Sequence, residues 1–300
     1  MPLLVVGSVA FDSVETPQET RENVLGGSAV FFSYAASFFT PVRLVGVVGQ
    51  DWPAEHTELL QSRNIDTAGL RVMEGKQTFR WRGRYLPNMN DRETLDVQLN
   101  VFGEFDPILP DSYKNCPYVF LANGVPAVQL KVLDQVNSPR LVMADTMDLW
   151  INEHRDTLMT VLDRVNGLLL NDSEAMLLTD ETNLVRAGRR ILEMGPEFVI
   201  IKKGEHGAMC VSREETAVFP AFPIGAVTDP TGAGDCFAGG MMGYIAEQGQ
   251  FNARVLKNAL AYGTLVASFN VEDFSLDQLR KIERADLDRR FAEYKAMLSL

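Results

Sequence analysis

The stretch Asp229-Pro230-Thr231-Gly232-Ala233-Gly234-Asp235 joins a turn opener to two glycines and an aspartate. A segment with helical spacing follows, with Phe237, Met241, Tyr244 and Ile245 on one face. A tight glycine loop thus runs straight into a helix N-terminus. The first amides of a helix have no internal partner, and the dipole makes that end positive. Glycines bring the backbone close to a ligand and turn its N–H groups toward one point. The amides of Gly232, Ala233 and Gly234 suit an anion, with phosphate the natural occupant. Asp235 follows directly. A carboxylate repels phosphate, so its sensible task is to accept the proton of a hydroxyl that attacks a phosphoryl group. The plainer alternative is an ordinary strand-to-helix turn in which Asp235 only favours the helix start.

Further polar residues fall where strands end. Asp12 lies beyond the apolar run Leu3 to Val6, and Gly26-Gly27 open an apolar helix from about Ala29 to Phe39. Asn123, Asp145, Asn171 and Lys202 each close or follow a short apolar run, at the carboxyl end where open α/β sheets bind ligands. Asn171 and Glu174 stand three apart at a helix start, which suits either water-held magnesium or a capping box. Gly204 and Gly207 form a turn after Lys202. Arg80, Arg82 and Arg84 share one strand face, either to meet an anionic substrate or to pair with Asp91, Glu93 and Asp96 across a hairpin.

The order D-P-T-G-A-G-D-C-F-A-G-G over 229–240 resembles the second signature of the PfkB (ribokinase-like) carbohydrate kinase family, D-T-x-G-A-G-D-x-F-x-x-G. Gly26-Gly27 match the family's first signature, G-G-x-x-x-N-x-A, with Phe31 in place of its asparagine. Asn171 and Glu174 match N-x-x-E, and the resemblance spans essentially the whole chain. It implies one domain over residues 1–300, a ribokinase-like three-layer α/β/α sandwich around a mainly parallel, doubly wound sheet. Lid segments are expected near 12–25 and 78–101, with Trp81, Leu95, Val97 and Leu99 forming an apolar face over the acceptor or a partner subunit. The implied activity is ATP-dependent transfer of the γ-phosphoryl group to a small sugar or sugar derivative. Nucleosides stand close behind, and a non-catalytic small-molecule sensor is the rival from another class.

The resemblance also carries roles. Asp235 is the base and the amides of 232–234 the anion hole. Asp12, Gly26, Gly27 and Asn123 meet the acceptor. Asn171, Lys202, Gly204, Gly207 and Asn258 meet ATP, and Asn171 with Glu174 organises magnesium. Asp229 and Thr231 belong to a loop that binds potassium in some relatives. The segment Asp145 to Trp150 lacks the asparagine and arginine of the family's D-x-N-x-R-x-x-x-W, and Phe269-Asn270-Val271-Glu272 replaces a glycine-alanine turn.

The elements that must hold these residues read as alternating strands and helices after Pro110, the pattern of a parallel doubly wound sheet. Expected strands are 42–48, 118–121, 141–144, 167–170 and 198–202; expected helices are 126–136, 154–165, 252–268 and 285–298. Alternation in 79–85 and 95–101 predicts a half-exposed antiparallel hairpin. The chain of 300 residues is 46% hydrophobic, enough for one large core. A net charge of −12 argues against nucleic acid or membrane surfaces as partners. No long apolar run and no signal-like N-terminus are present, and three scattered cysteines suit a cytoplasmic setting.

Overall fold

The computed structural model describes residues 1–299. The chain opens with β1 (Leu3–Val6), then folds a pair, β2 (Ala10–Glu15) and β3 (Thr20–Gly26), before α1 (Ser28–Ser37). A crossover follows through β4 (Val42–Gly49), α2 (Ala54–Gln61) and β5 (Ile65–Met73). The hairpin β6 (Phe79–Tyr85) and β7 (Arg92–Gln98) comes next. Strands and helices then alternate: β8 (Tyr118–Leu121), α3 (Pro126–Leu133), β9 (Leu141–Asp145), α4 (Asp148–Glu153), α5 (Arg155–Leu162) and β10 (Gly167–Asn171). The series continues through α6 (Asp172–Thr179), α7 (Leu184–Leu192), β11 (Phe198–Lys202), β12 (Ala208–Ser212) and β13 (Thr216–Phe219). Three helices end the chain, α8 (Ala233–Gln248), α9 (Ala253–Asn270) and α10 (Arg284–Leu298).

The nine-stranded sheet has the order β13-β12-β11-β10-β9-β8-β1-β4-β5, with β5 through β11 of that series parallel and β12 and β13 antiparallel. Its central strands are apolar on both faces because both are covered. Leu3 and Val5 pack with α1, α8 and α9, whereas Leu4 and Val6 pack with α3, α5, α6 and α7. This is the expected three-layer α/β/α sandwich. No helix among the described residues is long and apolar enough to cross a membrane.

The lid segment expected near 12–25 is a strand pair, β2 and β3. It joins the hairpin in a second sheet of order β3-β2-β6-β7, with β2 parallel to β6. The hairpin's second strand begins at Arg92, not Leu95. Asn88 Oδ1 accepts the Asn90 and Asp91 amides, which closes the turn early. The helix expected over 154–165 is α5, and a further short helix, α4, precedes it, set apart by a break at His154 (φ −132°, ψ 33°). The elements α2, β5, α4 and α7 have no counterpart among those expected from the sequence.

β7 is exposed along its length, and Leu95 and Val97 within it and Leu99 just beyond its end are 40%, 47% and 49% exposed. The expected apolar face therefore lies open to solvent in the single chain. Only Trp81 turns inward, toward Val14, Tyr85 and Phe274.

Candidate functional site

From β1 the sheet grows one way to β4 and the other way to β8. That reversal opens a crevice at the carboxyl ends of β1 and β8, where this architecture binds ligands. Asp12, Gly26 and Gly27 reach it from the second sheet. Asn123, Asp145, Asn171 and Lys202 reach it from the ends of β8 to β11. The glycine loop closes it at the N-terminus of α8.

The loop is built from below. Gly232 is left-handed (φ 75°), and a Cβ there would lie 2.4 Å from the Phe31 ring. Glycine is thus required twice, by conformation and by close approach. Phe31 is 2% exposed and belongs to the core, so it offers no face to a substrate. The Ala233 amide, expected in the anion hole, donates instead to Pro230 O at 3.1 Å. Among the described residues the Gly232, Gly234 and Asp235 amides have no main-chain acceptor, so these three are the donors open to an anion. Asp229 is buried and shapes the turn, with Oδ1 accepting the Thr231 amide at 2.9 Å and Oδ2 the Ser275 amide at 3.4 Å.

Carboxylates crowd this crevice. Burial, then the charge of Asp145, pushes Asp235 up to about 7, against the pull of Lys202 and Arg92. Burial, then Asp229, pushes Asp12 up to about 7, although the Gly27 amide donates to it. Asp12 lies in a strand at 5% exposure and presses so closely on Gly26 that a Cβ there would meet Oδ2 at 2.1 Å. Burial likewise raises Glu174 to about 7 and lifts Asp145 and Asp229. Lys202 is the counter-charge. Rather than solvated, it is largely buried, with Nζ 3.3 Å from Asp145 Oδ2. Burial pulls its pKa down, but Asp145, Glu174 and Asp235 outweigh that and hold it charged. Its ammonium also lies 3.1 Å from where a Gly234 Cβ would stand, directly beside the anion loop.

Such an arrangement can bind an anion on amides and lysine and place next to it a carboxylate poised near neutral pH to take a proton. A family model described as pfkB family carbohydrate kinase matches residues 125–280, more than half of the chain and including the whole anion loop. The cytidine kinase of Thermococcus kodakarensis is 30% identical over 249 residues, 81% of this chain and 87% of that one. The chain belongs to the PfkB family of carbohydrate kinases.

This PfkB kinase is an ATP-dependent phosphotransferase acting on a hydroxyl of a sugar or sugar derivative. Its fold is that of solved relatives. A protein described as a ribokinase II from E. coli, in complex with ATP and Mg2+, superposes with a TM-score of 0.80 at 21% identity, covering 97% of this chain and 99% of that one. The Burkholderia thailandensis nucleoside kinase in complex with inosine gives 0.78 at 21% identity, covering 96% of each chain.

Other expected residues of the PfkB kinase are placed as follows. Asn171 and Glu174 form a capping box, with Glu174 N to Asn171 Oδ1 at 2.8 Å and Asn171 N to Glu174 Oε2 at 2.7 Å. Asn123 is occupied, its Oδ1 accepting from Trp150 Nε1 at 2.8 Å and its Nδ2 donating to Met147 Sδ at 3.2 Å. Gly204 (φ 52°) and Gly207 (φ 83°) form the turn after β11. Asn258 donates to Tyr244 Oη at 3.5 Å. Tyr244 lies nine residues beyond Asp235 on α8, about 13 Å along the axis, so Asn258 is remote from the anion loop.

Arg80, Arg82 and Arg84 are paired, chiefly with partners other than those expected, although Arg84 also meets the expected Glu93 at 3.9 Å. Arg80 meets Asp51 at 2.8 Å, and Glu15 of β2 takes Arg82 at 2.7 Å and Arg84 at 2.8 Å. Glu15 reaches Arg82 and Arg84 because β2 is the parallel neighbour of β6.

The sequence reading missed three groups of this kinase. Arg92 pairs with Tyr85 across the hairpin, and its guanidinium lies 5.8 Å from the Trp81 ring. It is close enough to help ionise Asp12, Glu174 and Asp235, yet no carboxylate among the described residues lies within 4 Å of it. Tyr85 accepts from Thr231 Oγ1 at 3.2 Å, which ties the second sheet to the anion loop. Thr146 Oγ1, beside Asp145, is buried without a partner. Arg92 and Tyr85 depend on hairpin register, which no local signal carries. The glycine-rich turn and polar strand ends, by contrast, were visible as residue types.

Proposed function

We propose that the acceptor of this kinase is a nucleoside, phosphorylated on a ribose hydroxyl. The observation that carries this is the likeness to a cytidine kinase over most of both chains. The sequence alone had put sugars and their phosphates slightly ahead. Sugar phosphates lose support because all three β6 arginines are already paired. The Phe31 stacking argument for nucleosides also falls, since that ring is core. A different aromatic pair takes its place: the half-buried rings of Phe79 and Phe102 stack at 5.3 Å. Phe102 lies 3.7 Å from where a Gly124 Cβ would stand, next to Asn123, and so offers an apolar face to a base.

In this reading Asp12, with the Gly26 and Gly27 backbone, holds the ribose hydroxyls. Asp235 removes the attacking proton, and the Gly232, Gly234 and Asp235 amides hold the moving phosphoryl charge. Lys202 offsets charge on ATP at Gly204 and Gly207. Magnesium brought in with ATP would keep most of its waters, with Glu174 and Asn171 as outer partners, in keeping with its preference for retained water. An intact Asp235 beside a buried lysine favours catalysis over the sensor alternative. Assaying phosphate transfer over cytidine, other nucleosides, free sugars and sugar phosphates at matched concentration tests the acceptor. Nucleosides are expected to be preferred, and exclusive turnover of free sugars overturns the proposal.

The second sheet serves as the lid. Its hairpin tip reaches the nucleotide side, where Asn90 Nδ2 donates to Glu205 Oε1 at 3.2 Å, and Arg92 brings a positive charge over Asp12 and Asp235. Closure excludes water from the transferring phosphoryl group. Replacing 86–91 and the β7 strand by a short linker is expected to raise ATP hydrolysis relative to transfer. If the exposed face of β7 meets a second copy, the same change dissociates a dimer. Unchanged transfer together with unchanged mass in solution would sink the lid assignment.

A further inference from the structure

Potassium beside Asp229 and Thr231 is what the family resemblance implies, and the residues present do not fit it. Asn270, the last residue of α9, is 1% exposed. α9 runs antiparallel to α8, which brings its C-terminus to the start of α8. There Asn270 Nδ2 donates to Thr231 O at 2.9 Å, and Cys236 Sγ donates to Asn270 Oδ1 at 3.2 Å. The loop carbonyl that a cation would need thus faces an N–H donor, whose positive end repels a cation. The Asn270 side-chain oxygen, the alternative acceptor, is turned toward the thiol. Asp229, meanwhile, is engaged by two main-chain amides.

The consequence lies across one peptide bond. In a trans peptide the C=O of Thr231 and the N–H of Gly232 point in opposite directions. Holding Thr231 O on the Asn270 side aims the Gly232 N–H away from Asn270, into the anion site. We infer that the Asn270 side-chain amide does at this loop the work that a monovalent cation does elsewhere, and that the kinase needs no such cation. The inference rests on the anion-loop reading of 232–235.

Two measurements in potassium, sodium and choline chloride at equal ionic strength test it. Thermal unfolding of the unligated protein needs no substrate, so it remains informative even if the acceptor proposal fails. Wild type is expected to melt alike and turn over alike in all three salts. Asn270→Gly removes the donor and opens space beside Thr231 O. It is expected to lose at least about 10-fold in turnover in choline, part of the effect of losing one oxyanion donor, and to recover in potassium. A wild-type melting or rate response specific to potassium overturns the inference. So does a glycine variant as active in choline as wild type, or one that is impaired and stays flat in potassium. If the variant fails to fold, the wild-type comparison alone decides.

Discussion

Asp235→Asn is expected to lower turnover by at least about 10²-fold, the lower end for losing a positioned general base, while ATP still binds. The amide keeps the shape and the helix start but cannot accept the proton of the attacking hydroxyl. Stability should move the other way. Burial and Asp145 hold the Asp235 carboxyl up at about 7, so its ionised form is disfavoured in the folded protein. A neutral amide removes that burden, and the variant should melt at or above the wild-type temperature in mildly alkaline buffer. Loss of activity without loss of stability separates a base from a structural residue. The pH profile gives a third readout. A base must be deprotonated, so wild-type kcat/KM should climb as pH rises through about 7 and then level. The residual activity of the variant should lack that limb. Near-wild-type turnover by Asp235→Asn on its preferred acceptor would show that the base is elsewhere.

Lys202→Met carries the second large effect, and it falls on stability as well as rate. Lys202 sits 3.3 Å from Asp145 with side-chain exposure of 19%, and it lowers the pKa of Glu174 and Asp235 too. Removing one partner of a buried pair costs about 3–5 kcal/mol, and the residual exposure of the lysine argues for the lower end. The cost should depend on pH with a definite sign. Asp12, Glu174 and Asp235 are raised from ordinary carboxyl values to about 7, so the folded protein holds protons that the unfolded chain releases. Stability from that source is full below the ordinary range and is lost as pH rises through about 7. The unligated wild type should therefore melt higher at about pH 5.5 than at about pH 8. In Lys202→Met the carboxyls rise further and the penalty concentrates at the alkaline end, so the gap between the two pH values should widen. Calorimetry at the two pH values measures it; an unchanged gap would mean that the lysine is not the counter-charge of this cluster.

Much of this was legible in local sequence. The apolar runs at 3–6, 118–121, 141–145, 167–171 and 198–202 are strands because a sheet covered on both faces needs residues apolar on both sides. The glycine loop at 232–234 announces a helix start open to an anion because glycine alone tolerates both the left-handed turn and the Phe31 ring beneath it. Asn171 and Glu174 announce their own capping box, since both partners lie within one helical turn. Each of these is decided by neighbours in the chain.

Tertiary structure decided what depends on distant partners. Lys202 reads as a solvated strand end, yet the parallel pairing of β9, β10 and β11 buries it against Asp145, 57 residues away. Asp12 reads as a loop residue, yet the second sheet buries it beside Gly26 and raises its pKa to about 7. Arg82 and Arg84 answer to Glu15 because of a parallel pairing that alternation cannot reveal, and Arg92 enters the site because its strand begins three residues earlier than its apolar pattern suggests. Asn270 meets Thr231 only because two helices run antiparallel for their full length. Residue types and short spacings thus determined which chemistry the chain carries. The long-range pairings decided which of those groups are charged, which are already engaged, and which stay open to a ligand, because burial and partnership set pKa and hydrogen-bonding capacity.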